Sequence, residues 1–331
     1  MRRRGARAVL LLAGALACCV LAGLAVGSQP VALPDVWSAL TAPTGSPADV
    51  VVRELRVPRT LLGLAVGAAL GMAGVLAQGH TRNPMADPGL LGVGAGASCA
   101  VVLAIQLLGV RSPAGYLWFA FAGALLAAAA VAALAQAVRS ASPVLALVLC
   151  GAVVTAFLSA VTSALVLADA TTLDAFRFWS VGSLAGRRTE VLLPVLPAIA
   201  AGAVLALANA PGLNALALGE DAARALGQRV WLTRATGLAA ITLLTGAATA
   251  ACGTVGFVGL VVPHLARDLV GADVRWQVPV AGLAGGVLLL AADVVGRVAV
   301  RPGELQVGIV LALLGAPFFV AVARRRRLVA A

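Results

Sequence analysis

Ten apolar runs, separated by short polar hinges, leave this chain few folds to choose from. Read against the polar punctuation, they fall at 9–27, 60–78, 90–108, 115–138, 143–167, 190–208, 232–251, 255–270, 277–296 and 305–323. A helix of about 20 residues, rising about 1.5 Å per residue, matches a hydrocarbon core about 30 Å thick. Inside that core the backbone must pair its own N–H and C=O groups, which runs of this length do as helices. The expected fold class is an all-α integral membrane protein of about ten transmembrane helices, a single domain over residues 1–331.

Composition agrees and removes other classes. The chain is 61% hydrophobic and 11% charged, with a mean hydropathy of +1.02, where a soluble domain carries about 25% charged residues. All 24 basic residues are arginine. Without lysine there is neither a Walker A loop nor a Schiff-base amine, so the chain does not power itself by that kind of ATP hydrolysis. A net charge of +11 raises nucleic acid as a partner, but the arginines are dispersed in short loops or gathered at the termini beside apolar runs. That is the pattern of membrane orientation, and no nucleic acid is expected. Cys18, Cys19, Cys99, Cys150 and Cys252 lie in apolar runs without CxxC spacing and read as small hydrophobes.

The opening MRRRGARAVLLLAGALACCVLAGLAVG resembles a signal peptide, yet Val9–Gly27 is long enough to cross and reads as a first span. Ten spans place both termini on one side. With the N-terminus inside, fifteen arginines (2, 3, 4, 7, 82, 139, 224, 229, 234, 267, 275 and 324–327) are inside. Nine (53, 56, 59, 111, 177, 187, 188, 297 and 301) are outside. The positive-inside rule therefore puts both termini in the cytoplasm. The nine outer arginines are the exceptions, Arg53, Arg56 and Arg59 standing with one acid, Glu54, and Arg297 and Arg301 flanking the last outer turn, with two open readings: snorkelling to lipid phosphates, or receipt of an acidic protein partner.

Gly63, Gly67 and Gly71 recur every fourth residue in the second run and share a helix face suited to close backbone contact. Next comes the hinge RNPMADP, whose Pro84 and Pro88 break the helix. LGVGAGA at Leu91–Ala97 lacks the spacing of a nucleotide fingerprint and reads as helix packing. The longest inner polar segment is Asn209–Arg234, where Pro211–Asn214 predicts a turn and Ala215–Leu226 a short helix presenting Glu220, Asp221 and Arg224. That helix reads either as a surface for a soluble partner or as an interfacial helix on headgroups. His80, alone in an inner loop, and His264, near Pro263, lack further ligands, so no metal site is expected. Asp293, one turn before Arg297 near the outer end of its span, is expected to be paired or to face a cavity. No nucleophile and base are brought together, so no catalytic site is expected. A proton- or sodium-driven carrier would want carboxylates in mid-span, and Asp293 is the main candidate.

Several long segments, in order, resemble the FecCD-type permeases, the membrane subunits of ATP-binding-cassette importers for iron-siderophores, haem and cobalamin. They are RVPRTLLGLAVGAALGMAGVLAQGHTRNPMADPGLLGVGAGA, FWSVGSLAG from Phe178, LNALALGEDAARALG from Leu213, GFVGLVVPHLARDLVGADVR, ADVVGR and PGELQVGIVLALLGAPFF. One departure is Val274, where many members have histidine, and it is expected to alter surface contacts. The resemblance implies a permease bundle with a short cytoplasmic coupling helix, in a bacterial cytoplasmic membrane. Arg56, Arg59 and Arg297 would receive an extracytoplasmic solute-binding protein. Gly219, Glu220, Arg224, Leu226 and Gly227 would couple to the ATPase, and Asn83, Met85, Ser140 and Ser142 would belong to the inner gate. It further implies two ATP-binding subunits that hold ATP and magnesium, no cofactor in this chain, and a second permease copy, identical or paralogous. The fifth and tenth spans would line the pathway, and the cargo would be a ferric chelate, an iron-siderophore first, with haem and cobalamin as alternatives.

Overall fold

The computed structural model describes residues 2–27, 31–110, 112–138, 143–300 and 303–327, and among them every regular element is helical. In chain order these are α1 (Arg2–Ala25), α2 (Leu33–Thr41), α3 (Pro47–Val50), α4 (Val57–Thr81), α5 (Val93–Leu108), α6 (Pro113–Ala137) and α7 (Pro143–Ala168). Then follow α8 (Ala170–Ser180), α9 (Thr189–Ala217), α10 (Glu220–Ala225), α11 (Val230–Cys252), α12 (Val258–Val270), α13 (Val274–Ala299) and α14 (Val307–Arg327). A helix stands at each of the ten expected runs. Seven are long and apolar enough to cross a membrane, whereas α5 and α14 offer shorter apolar stretches and α12 has 13 residues.

α4 is the central post. Ser46 and Asp49 form a capping box that starts α3, and a π turn at Val51–Arg56 carries the helix on without a break. Pro47–Thr81 is thus one helix of 35 residues. Pro58 sits just after the π turn, where the regular ladder is already altered and its missing N–H is tolerated. The glycine face is used as its spacing predicts. Gly67 lies against the backbone of Gly285, Gly71 against the carbonyl of Ala281 and Gly74 against Gly259. α4 therefore meets α13 and α12 backbone to backbone, at distances that no Cβ would permit. Gly96 on α5 and Gly123 on α6 pack in the same way. The core follows α4, with Leu62, Val66, Ala69, Leu76, Leu244 and Leu289 buried around it.

Gly5 of α1 lies against Trp276 at the start of α13, and His264 of α12 packs edge-on to Phe318 of α14. The start of α1 therefore lies beside the start of α13, and α14 runs beside α12.

Four expectations are corrected. Pro211–Asn214 is no turn: α9 runs through Pro211 to Ala217, and the break falls at Gly219, whose φ is +110°. Gly212 fits closely against Thr233 of α11, and the Asn209 side chain donates to the Thr233 carbonyl at 2.6 Å. This packing holds the helix past the proline. The short helix is consequently Glu220–Ala225 alone. The run 255–270 is helical only from Val258, because Phe257 (φ +67°) stands in the left-handed conformation immediately before it. His80 is no solitary loop residue: it ends α4 and its Nε2 lies 3.0 Å from Asn209 Oδ1. Val274 is buried, its N–H donating to Asn214 Oδ1 at 2.9 Å, so the departure at this position changes an internal contact rather than the surface.

Candidate functional site

Charged residues gather at the two ends of the bundle. At the end away from α10, Asp293 of α13 is 2% exposed and accepts from both Arg59 and Arg297. Arg59 Nη2 reaches Asp293 Oδ1 at 2.8 Å and Nη1 reaches Glu304 Oε2 at 2.8 Å. Arg297, also 2% exposed, donates to the Gly23 carbonyl at 2.7 Å. Arg56, 6% exposed, donates to the carbonyls of Leu24 and Ala25 at 2.7 and 2.9 Å. Three guanidiniums thus face two carboxylates and the frayed carbonyl end of α1, where the helix dipole also favours cations. These arginines do not snorkel; they join α1, α4 and α13. The pairing of Asp293 with Arg297 follows from their i, i+4 spacing, but Glu304 and the α1 carbonyls carry no local sequence signal. Arg53 remains exposed beside Glu54, and Arg301 lies outside the described residues.

At the other end stand the hinge and α10. Arg82 caps α4 in a left-handed conformation (φ 49°), and its Nη2 donates to the Leu216 carbonyl at 2.7 Å. The hinge is thereby tied to the last turn of α9, immediately before α10. Asn83 Oδ1 accepts from Met85 N–H at 2.9 Å, and Asp87 Oδ1 accepts from Gly89 N–H at 2.8 Å, so the hinge is folded on itself. Glu220 pairs with Arg224 at 2.9 Å and with Arg234 of α11. Arg224 also holds Asp221 at 2.8 Å. Leu226 is 64% exposed, and Gly227 (φ +80°) turns the chain into α11. Asn209, between His80 and the α11 groups Thr233 and Thr236, joins α4, α9 and α11 just above. A cavity of about 430 Å³ lies behind the hinge, lined among others by His80, Asp87, Trp231 and Arg234. Asn83 and Met85 are therefore brought close to the α10 assembly. Ser140 and Ser142 lie outside the described residues, as does Arg111.

Among the described residues no three His, Cys, Asp or Glu side chains gather as metal ligands. The bundle offers instead a surface at each end and exposed apolar helix faces between them. The family model of the FecCD transport family matches residues 15–325. This chain belongs to the FecCD family. It is a multi-pass membrane protein and an ABC transporter permease, a translocation subunit rather than a catalytic enzyme. The ferric enterobactin transport system permease protein of Escherichia coli (strain K12) is 48% identical over 305 residues, covering 92% of this chain and 90% of that one. The cobalamin import system permease protein of Halobacterium salinarum is 41% identical over 303 residues, covering 88% and 80%. A solved structure of an inward-facing metal-chelate type ABC transporter superposes with a TM-score of 0.83 at 29% identity, covering 96% of this chain and 98% of that one. Family membership implies ATPase and binding-protein partners.

Proposed function

We propose that this FecCD-family permease is one single-domain half of a two-copy pathway that carries an iron-siderophore complex across the bacterial cytoplasmic membrane. The observation that carries the reading is the joint between hinge and coupling helix: Arg82 holds the α9 terminus while Glu220 holds α11. In this reading two separate ATP-binding subunits, which supply ATP and magnesium, grip Gly219–Gly227 from the cytoplasm. Movement of α10 pulls on the hinge through Leu216, and the gate, to which Asn83, Met85, Ser140 and Ser142 belong, opens by rocking of rigid helices. Both termini lie on that cytoplasmic side. The ion-paired end with Arg56, Arg59 and Arg297 faces an extracytoplasmic solute-binding protein and offers it a fixed positive field.

The pathway runs between two permease copies, identical or paralogous, along α7 and α14. Leu145, Leu149, Val153 and Phe157 form one exposed stripe on α7, and Leu313 and Leu314 are exposed on α14. Such walls suit a cargo that travels as an intact chelate, with the metal never stripped, and no cofactor is needed in this chain. The likeness to the ferric enterobactin permease supports a siderophore over haem or cobalamin. An ion-driven carrier is disfavoured by the pairing of Asp293, the main candidate coupling group, with two arginines.

Tagging the chain in its native membranes and identifying what co-purifies tests the reading. Recovery of an ATPase and a solute-binding protein, with ATP-driven uptake of a ferric siderophore in liposomes that Glu220→Arg abolishes, is the expected result. Transport by the chain alone without ATP, or normal uptake by Glu220→Arg, would overturn it.

A further inference from the structure

The end of the bundle away from α10 holds a second cavity, of about 540 Å³, that none of the roles above uses. Its walls come from the end of α5, the start of α6, α8, the 181–188 loop and Gln306 before α14. Arg187 lines it and is only 7% exposed, with its Nε buried and without a hydrogen-bond partner. Trp179, 2% exposed, lines it too, and its indole Nε1–H is likewise buried without an acceptor. Among the described residues no carboxylate lines it. Asp169 is spent on the Thr171 and Thr172 hydroxyls, and Glu190 is exposed. A buried guanidinium at a cavity wall, with an unpartnered donor and no carboxylate beside it among the described residues, calls for an acceptor from outside the chain.

The loop that presents Arg187 is fixed rather than adaptable. Ser183 N–H donates to the Cys252 carbonyl at 2.8 Å, Gly308 N–H donates to the Gly182 carbonyl at 3.1 Å, and Leu184 is fully buried against Gly63 of α4. Gly182 (φ +76°) and Gly186 (φ +68°) make the two reversals that aim the loop. Tyr116, Phe178 and Trp179 supply flat apolar wall, and Ser183 and Gln306 supply further polar groups. The volume falls in the range of roughly 300–1,000 Å³ usual for small-molecule sites.

We propose that this cavity is an anion subsite that takes an oxygen anion carried on a flat apolar body, with the Arg187 guanidinium on the oxygens and the rings of Tyr116, Phe178 and Trp179 on the body. Resting on the importer reading above, the anion is an arm of the chelate as it leaves the binding protein. Arg187 fixes the arm's charge and Trp179 its orientation.

The test uses the purified full-length chain and para-nitrobenzoate, a flat aromatic carboxylate that quenches tryptophan emission, with neutral para-nitrobenzamide as its control. Saturable quenching by the carboxylate alone is expected, lost in Trp179→Phe. The site should weaken by about tenfold or more in Arg187→Gln and recover in Arg187→Lys, the size of one charge-assisted hydrogen bond. Equal saturable binding of the amide to the unaltered chain overturns the proposal even if the Arg187 variants fail to fold. Undiminished binding to Arg187→Gln overturns it as well. So does a phospholipid that native mass spectrometry finds bound to the unaltered chain and lost in Arg187→Gln, because the cation would then serve the bilayer. ATP-driven uptake read separately keeps the two readings apart: uptake without Arg187-dependent binding sinks the subsite alone, and binding without uptake sinks the importer alone.

Discussion

α4 and α7 are both long apolar helices, and their surroundings are opposite. In the span containing α4, 83% of the most apolar stretch is buried; in α7 the figure is 17%. Hydrophobicity does not separate them, because lipid accepts an apolar side chain as readily as a protein core does. Glycine does. α4 places Gly63, Gly67, Gly71 and Gly74 along neighbouring helices, whereas α7 has the single glycine Gly151, set against the Leu90 carbonyl. Close backbone approach earns dispersion contacts that a lipid tail cannot match, so α4 becomes the post and α7 is left with an apolar outer stripe for the bilayer or a second copy.

The largest effect that would sharpen this contrast is expected for Asp293→Asn, which leaves Arg59 and Arg297 buried with less compensation. Breaking a buried pair in this way costs about 3–5 kcal/mol, and a thermal-shift measurement on the solubilised chain should show it. Little change would mean that the arginines are solvated and the α4 side is looser than described. Next comes Gly67→Val, whose side chain meets the Gly285 backbone. A loss of about 1–3 kcal/mol or more is expected, read as loss of the monodisperse peak in size exclusion, and an unaffected peak would remove the reason for α4's central place. Glu220→Gln should cost only about 0.2–1 kcal/mol because its partners are part-exposed, while uptake falls; an effect on stability as large as that of Asp293→Asn would make α10 a structural strut. The smallest change is expected for Phe157→Ala on the α7 stripe. The single chain should shift by no more than about 0.5 kcal/mol, and a large destabilisation of a demonstrably monomeric chain would break the comparison.

Much of this was readable in advance, for identifiable reasons. The glycine spacing, the paired prolines of the hinge and the i, i+4 placement of Asp293 and Arg297 are local signals, and each has the expected structural consequence. Pro211 misled because its local preference for a break is overridden by Gly212 packing on Thr233, a contact 21 positions away in the chain. His80 looked solitary because its partner, Asn209, is distant in sequence. Arg187 was legible only as another outer arginine; its burial depends on α5, α6, α8 and Gln306 converging on it.

The sequence by itself determined that this chain is a helical membrane protein, that a helix stands at each of its ten apolar runs, and which family it belongs to. Those properties rest on hydropathy, spacing and motifs contiguous in the chain. Only the tertiary structure decided which helices are post and which are wall, that Arg56, Arg59 and Arg297 are held by their own chain, and that Arg187 is buried with an unpartnered donor. Such properties depend on which backbone groups and carboxylates arrive from distant segments, and in a medium that is apolar everywhere, hydrophobicity carries little information about neighbours.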